Sequence, residues 1–154
     1  MNWDQYFFEI AQVTCKKSKD TSTKVGAVIV GPNKEVRSLG FNGMPRGVND
    51  DVEIRHQRPT KYYYFEHAER NAIYNAARNG IVTDNCELYL YPMVPCTDCA
   101  RAIIQSGIKV VKVYVTKESP NYAETNKIAN EMLVEAGVKL LIYNHSDYNW
   151  LEIK

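Results

Sequence analysis

The chain has 154 residues, of which 45% are hydrophobic and 24% are charged, and these proportions are ordinary for one folded domain over residues 1–154. The formal net charge of +1 gives no electrostatic footprint for a long polyanion, so we expect no nucleic acid partner. Four cysteines do not make a disulfide framework and no apolar run reaches membrane length, so we expect a cytoplasmic protein with no membrane partner.

The first part of the chain predicts a helix followed by a β-hairpin. Apolar residues at helical spacing predict a helix over residues 3–16. Residues 25–30 and Val36–Phe41 are rich in β-formers, and the turn sequence GPNK between them predicts an antiparallel pair. The stretch 42–65 that follows has no clear period and is long for a loop inside a compact domain.

Strands and helices alternate through the rest of the chain. The patterns predict helices over residues 68–79, 99–106 and 124–136, and strands at Glu87–Tyr91, Val110–Val115 and 138–143. Strands separated by helices are typical of an α/β domain, and the opening hairpin makes the sheet mixed. We therefore expect a three-layer α/β/α domain with a five-stranded mixed sheet. The structure of the tail, 144–154, stays open.

Two short strings, H-A-E beginning at His67 and P-C-T-D-C beginning at Pro95, indicate a metal centre. A catalytic zinc site takes three protein ligands and keeps an open position for water, and His67, Cys96 and Cys99 supply that number. Cysteines three apart share one face of a helix, and a helix N-terminus favours the thiolate that binds metal. Glu69 is left free to move protons.

Other interpretations of the cysteine motif remain open. A C-x-x-C pair is also typical of a redox pair or of half of a structural zinc site. A redox pair leaves the H-A-E string unexplained, and a structural site needs a fourth ligand. The candidates for that ligand are Cys15, Cys86, His56 and His145. We expect the two cysteines to be small buried side chains and the two histidines to be ordinary surface or loop residues.

The irregular stretch 42–65 leads directly to the H-A-E string. It carries four cations, Arg46, Arg55, Arg58 and Lys61, and ends in the aromatic run YYYF at positions 62–65. Basic groups recognise phosphate and aromatic faces stack on bases, so the stretch is a candidate for contacting a substrate or an effector. The alternative is a solvated loop whose tyrosines cover the sheet.

Four stretches of the chain resemble the deoxycytidylate (dCMP) deaminase family, within the cytidine deaminase fold superfamily. They are SKDTSTKVGAVIV at 18–30, GFNGMPRG at 40–47, HAERNAI at 67–73 and PCTDCARAIIQSGI at 95–108. The zinc strings fit many nucleobase deaminases, whereas GFNGMPRG is far more specific to the dCMP branch. Glu66 departs from the family pattern, in which a small residue or a cysteine often precedes the zinc histidine.

The resemblance implies a cytidine deaminase-like fold and zinc-dependent hydrolysis of dCMP to dUMP and ammonia, which supplies dUMP for thymidylate synthesis. It implies that Glu69 is the catalytic proton carrier, that Asn42 holds the sugar 3′-hydroxyl, and that the backbone N–H of Ala68 holds the cytosine carbonyl. The other substrate contacts that it implies are Ser22, Thr23 and Lys24 near the 5′-phosphate, with Val25 and Pro95.

The resemblance also implies a homohexamer that is activated by dCTP with Mg²⁺ and inhibited by dTTP, with Arg46 at the effector site. Three other functions stay open: an RNA-editing adenosine deaminase, a deaminase of free nucleosides or other small heterocycles, and a non-catalytic zinc module. The near-neutral charge disfavours the first, and the phosphate-side motifs disfavour the second. The third does not need Glu69.

Overall fold

The structure, a computed structural model, describes residues 1–116, 123–144 and 149–154. Its helices are α1 Trp3–Cys15, α2 Lys61–Tyr64, α3 Ala68–Arg78, α4 Thr97–Gln105 and α5 Ala123–Glu135, with a 3₁₀ turn at Glu53–His56. Its strands are β1 Gly26–Val30, β2 Val36–Phe41, β3 Glu87–Tyr91, β4 Val110–Val115, β5 Lys139–Asn144 and β6 Asn149–Ile153. No helix in these ranges is both long and apolar enough to cross a bilayer.

The strands form one mixed sheet in the order β2-β1-β3-β4-β5-β6. The β1 strand is antiparallel to β2 and β3, the β3, β4 and β5 strands are parallel, and β6 runs antiparallel to β5. The mixed α/β class is confirmed, but the predicted number of five strands is wrong. The sixth strand comes from the tail, where pairing of Trp150 with Tyr143 and of Glu152 with Leu141 holds a segment whose own pattern is weak.

Helices cover both faces of the sheet, which confirms the three-layer prediction. Every residue of β1 is buried. Since successive side chains of a strand point to opposite faces, both faces of the sheet are covered at β1. Ala27 and Ile29 pack into the cluster shared with α3, α4 and α5. Val28 and Val30 pack into the other cluster, whose remaining buried members are Phe7, Phe8, Ala11 and Tyr89. The α1 helix therefore covers the second face.

Close packing of α3 against β2 positions the N-terminus of α3. A Cβ atom added at Gly40 would lie 2.1 Å from the backbone oxygen of Ala68 and 2.4 Å from the backbone nitrogen of Ala72, so only glycine permits this approach. Gly43 and Glu66 exchange two backbone hydrogen bonds of 3.0 and 2.8 Å. Both sets of contacts fix where α3 begins, and the first gives Gly40 of the GFNGMPRG string a role that needs a glycine.

Candidate active site

The N-termini of α3 and α4 bring three potential metal ligands together. His67 is the N-cap residue of α3, Cys96 is the N-cap residue of α4, and Cys99 lies in the first turn of α4. The Sγ atoms of Cys96 and Cys99 lie 3.4 and 3.5 Å from Nδ1 of His67. Tetrahedral zinc with normal bond lengths separates sulfur and nitrogen ligands by about 3.6 Å, so this donor set fits zinc.

Within the described ranges this trio is the one group of three or more His, Cys, Asp or Glu side chains that could hold a metal ion. Cys15 and Cys86 are buried, as predicted. A ring nitrogen of His56 lies 2.6 Å from the backbone oxygen of Asp50, and His145 lies outside the described residues. Among the residues that the structure describes, the group therefore has the three ligands typical of a catalytic zinc site.

Hydrogen bonds within the trio shift the pKa values of its members in different directions. A hydrogen bond from Cys99, together with one from His67, lowers the pKa of Cys96 to about 4. The Cys96 sulfur in turn raises the pKa of His67 to about 9. The hydrogen bond of Cys99 to Cys96, together with burial, raises the pKa of Cys99 well above its usual value. Metal binding must therefore release protons from His67 and Cys99, which couples metal affinity to pH.

Glu69 is a buried carboxyl beside this trio, in the first turn of α3, with 4% of its surface exposed. It lines the same cavity as His67 and Cys96 but is not a member of the ligand group. Burial raises the pKa of the Glu69 carboxyl, and the positive charge of His67 opposes part of that shift. A carboxyl with a raised pKa next to a metal centre is suited to accept and return a proton.

A network of ion pairs flanks the trio. Arg70 contacts Glu66 and, through Nη1, the Oδ2 atom of Asp98 at 3.3 Å, and Asp98 also contacts Arg101. Glu66 Oε1 accepts a 3.0 Å hydrogen bond from the backbone N–H of His67. Glu66, the residue that departs from the family pattern, therefore supports the backbone of His67, the N-cap residue of α3, and Arg70 holds the Glu66 carboxylate.

A second polar group contributes another wall of the cavity, which we call the Asp20 wall and define as Asp20, Ser22, Asn42 and Lys61. Asp20 Oδ1 accepts from the N–H and the hydroxyl of Ser22, both at 2.8 Å, and from the N–H of Thr23 at 3.3 Å. Its Oδ2 accepts from Nδ2 of Asn42 at 3.0 Å and from Nζ of Lys61 at 2.6 Å. Burial acts to raise the pKa of Asp20, but hydrogen bonds from Lys61 and Ser22 outweigh it and keep the pKa below its usual value.

The Asn42 amide joins the segment before β1 to the end of β2. Its Nδ2 donates to Asp20 and to the backbone oxygen of Thr23 at 2.9 Å, and its Oδ1 accepts from the backbone N–H of Val25 at 2.8 Å. Both amide protons are therefore in use, while Oδ1 keeps a second lone pair. Asn42 can accept a further hydrogen bond but cannot donate one.

Two of the three metal ligands, His67 and Cys96, border one cavity of about 360 Å³ together with the Asp20 wall. Its lining consists of Asp20, Ser22, Thr23, Val25, Asn42, Arg58, Lys61, Tyr62, Phe65, His67, Ala68, Glu69, Met93, Val94, Cys96 and Asn126. A space of this size, in which apolar side chains are combined with convergent polar ones, is typical of a small-molecule site.

Most residues predicted for substrate binding line this cavity, namely Ser22, Thr23, Val25, Asn42 and Ala68. Of the described residues, Lys24 and Pro95 lie outside the lining, and so does Arg46, whose guanidinium donates to the side chain of Asn75 in α3. Sequence reasoning missed Asp20 and Asn126. The cation-rich stretch 42–65 was a signal for Arg58 and Lys61, but Asn126 lies in α5, beyond every motif.

The chain resembles known proteins over most of its length. The sequence model for "Cytidine and deoxycytidylate deaminase zinc-binding region" matches residues 1–115. Human deoxycytidylate deaminase is 40% identical over 116 residues, which cover 72% of this chain and 64% of that protein. An uncharacterized deaminase of Aliivibrio fischeri is 38% identical over 142 residues, which cover 90% of this chain and 91% of that protein.

A solved structure has the same fold. The dCMP deaminase of cyanophage S-TIM5, in complex with dCMP and dUMP, matches with a TM-score of 0.72 and 26% identity, covering 90% of this chain and 94% of that one. This chain spans 64% of the length of the human and mouse deoxycytidylate deaminases. The zinc-binding family match and the His67–Cys96–Cys99 trio together support zinc as the metal. The chain belongs to the cytidine and deoxycytidylate deaminase family with a zinc-binding region.

Proposed function

We propose that this protein is a zinc-dependent deaminase that hydrolyses dCMP to dUMP and ammonia. One observation carries the proposal: the three-ligand metal group, through His67 and Cys96, and the buried carboxyl of Glu69 border the same nucleotide-sized cavity. Relatives that bear the name deoxycytidylate deaminase, and the structural likeness to a dCMP deaminase bound to dCMP and dUMP, support the choice of substrate.

In the proposed reaction Glu69 moves both protons. Zinc held by the trio supplies a water nucleophile at neutral pH. Glu69 takes a proton from the attacking water and delivers it to N3 of the cytosine ring as the water oxygen bonds to C4. It then passes the second water proton to the exocyclic amine, the C4–N4 bond breaks, and ammonia leaves. The water oxygen remains as O4 of dUMP, so atoms and charges balance.

The chain's own groups hold the substrate in this proposal. The backbone N–H of Ala68 lies in the first turn of α3, where amides have no partner within the helix, and it donates to the cytosine carbonyl. Asn42 Oδ1 accepts from the 3′-hydroxyl of the deoxyribose through its second lone pair. Burial of Glu69 keeps water other than the nucleophile away from the proton path.

The proposed activity is tested by measuring ammonia release from zinc-loaded protein with dCMP, deoxycytidine, cytidine, dCTP and a tRNA hairpin in parallel. We expect kcat/KM for dCMP to exceed that for deoxycytidine because a 5′-phosphate makes charge-assisted hydrogen bonds. Preference for the hairpin, or equal efficiency on nucleoside and nucleotide, would instead favour one of the other deaminases. Release from none of them would leave a non-catalytic zinc module.

Regulation is a separate part of the proposal. We propose a homohexamer in which dCTP with Mg²⁺ activates, dTTP inhibits, and Arg46 contacts effector phosphate. Arg46 stands outside the cavity lining, against α3, so it can serve an effector without competing with substrate. Opposed effectors must prefer different states of the oligomer, with a typical coupling of about 1–3 kcal/mol.

Arg46 provides the test of regulation. We expect a sigmoidal rate-versus-dCMP curve that dCTP makes hyperbolic, and Arg46→Gln should weaken this response while leaving saturated turnover intact. Arg78→Gln is the control, because Arg78 is exposed in the last turn of α3. A stable monomer in sedimentation, with hyperbolic kinetics that neither triphosphate changes, would remove the regulatory proposal and leave the deaminase proposal standing.

A further inference from the structure

The hydrogen-bond donors around Asp20, which could otherwise bind an anionic ligand, already donate to the Asp20 carboxylate. Five donors converge on it: the N–H and hydroxyl of Ser22, the N–H of Thr23, Nδ2 of Asn42 and Nζ of Lys61. Because the single hydroxyl proton of Ser22 points to Asp20, that hydroxyl has no proton left for a ligand in this arrangement. A substrate phosphate brought here would also face a buried negative charge.

Lys61 does not relieve this repulsion, because its charge is paired internally. Its Nζ lies 2.6 Å from Asp20 Oδ2 and 2.6 Å from Ser22 Oγ, and only 11% of its side chain is exposed. It also lies 5.4 Å from the centre of the Phe65 ring. These contacts fix Lys61 as the link between α2 and the segment before β1, so recognition of a phosphate needs another cation.

Arg58 is the cation that the cavity leaves available. It lines the cavity, it is exposed, and its guanidinium lies 5.9 Å from the centre of the Tyr62 ring. Within residues 1–116, 123–144 and 149–154 it forms no ion pair with Asp or Glu. A planar guanidinium can bind two phosphate oxygens at once.

We propose that Arg58 is the specificity-determining residue that selects ligands bearing a 5′-phosphate, while the Asp20 wall faces the sugar. The identity of the nucleotide rests on the proposed function above. Arg58 places one positive charge at the rim of the cavity, where the phosphate of a bound nucleoside monophosphate reaches solvent. The base then lies towards Glu69 and the sugar hydroxyl lies against Asn42.

Arg55 offers a matched control for a test of this proposal. It lies in the same stretch of chain, and its guanidinium lies 4.7 Å from the centre of the Tyr64 ring, but it donates to the backbone oxygen of Asn49 and does not line the cavity. The two arginines therefore share residue type and aromatic contact and differ in access to the cavity.

The experiment measures equilibrium binding of dUMP and of deoxyuridine to zinc-loaded wild type, Arg58→Gln, Arg58→Lys and Arg55→Gln. Product binding needs no turnover, so it is independent of the deaminase proposal. We expect the dUMP-to-deoxyuridine affinity ratio to fall about 10- to 100-fold in Arg58→Gln, the size of one lost charged hydrogen-bonding partner. Arg58→Lys should recover part of the ratio, and Arg55→Gln should keep it.

Kinetics separate the two proposals. If wild type deaminates dCMP and Arg58→Gln keeps the preference for dCMP over deoxycytidine, the role of Arg58 is overturned and the proposed function stands. If wild type releases no ammonia yet loses its preference for dUMP in Arg58→Gln, the proposed function fails and the role of Arg58 stands. Equal weakening of both ligands by Arg58→Gln, or a wild type that binds both equally, overturns the role of Arg58.

Discussion

The two walls of the cavity are built by different means. The metal ligands and Glu69 lie at the N-termini of two helices that pack on the same face of the sheet, so regular structure fixes them. The Asp20 wall comes from the segment before β1, the residue after β2 and the first residue of the short helix α2, and side-chain hydrogen bonds across 22 and more residues of sequence hold it together. We therefore expect variants at the first wall to lose chemistry while the fold survives, and variants at the second to lose stability as well.

The largest effect should come from removing a metal ligand. Cys99→Ala takes one thiolate from the trio, so we expect loss of both bound zinc and measurable deamination, read by metal analysis and ammonia release. Cys15→Ser is the control, because Cys15 is a buried cysteine whose Sγ donates to the backbone oxygen of Gln12 at 3.1 Å, a bond that a hydroxyl can replace. A Cys99→Ala protein with one zinc per chain would refute this ligand set.

Glu69→Gln separates proton transfer from metal binding within the same wall. The amide keeps the shape of the side chain but cannot carry protons, so we expect full zinc content and turnover lower by about 10²–10⁴-fold. Glu66→Gln tests a neighbouring carboxylate that supports the backbone of His67 instead of lining the cavity, and its loss of turnover should be much smaller. Near-normal turnover in Glu69→Gln would contradict the proposed mechanism.

The Asp20 wall should respond through stability. Asp20→Asn removes the negative charge that pairs with Lys61. Both side chains are largely buried: that of Asp20 is 4% exposed and that of Lys61 is 11% exposed. Removing one partner of a buried ion pair costs about 3–5 kcal/mol, so we expect the free energy of unfolding to fall by that order in urea or thermal unfolding. Ser22→Ala removes one neutral donor to the same carboxylate and should cost less.

The pH dependence gives this prediction a sign. The pKa of Asp20 in the fold is below its ordinary value of 3.8, so the unfolded chain binds the proton more readily. The stabilisation is therefore complete above the unfolded pKa and is lost as pH falls through the lower folded pKa. The stability difference between wild type and Asp20→Asn should be largest near neutral pH and shrink below about pH 4. A difference that grows in acid would contradict the ion-pair assignment.

The contrast between a wall built on helix N-termini and the Asp20 wall also explains which features could be predicted from the sequence. Strands Val36–Phe41, Glu87–Tyr91 and Val110–Val115 have their predicted bounds, because short runs of β-forming residues set off by turn residues or by helical patterns mark them. The trio of His67, Cys96 and Cys99 could be predicted from the sequence because zinc binding demands particular residue types at fixed spacing. The roles of Asp20 and Lys61 could not be predicted from the sequence, since their pairing depends on where the irregular stretch 42–65 comes back against the segment before β1. The β6 strand was missed because its pairing with β5, and not its own pattern, defines it.

The smallest predicted effect tests the contact that joins the two walls. Gly40 lies in β2 two residues before Asn42, and its missing side chain lets the backbone of α3 approach, so Gly40→Ala must push Ala68 and Ala72 away from β2. Overpacking of this kind costs about 1–3 kcal/mol, and here the displaced helix carries His67 and Glu69. We therefore expect lower stability together with reduced zinc affinity, measured by thermal unfolding and by competition with a chelator. Gly43→Ala is the matched control from the same string, because a Cβ atom there meets only the Phe41 ring at 3.7 Å, an ordinary contact. If the two substitutions cost the same, or if Gly40→Ala unfolds more easily but holds zinc normally, the position of α3 does not depend on Gly40 in this way.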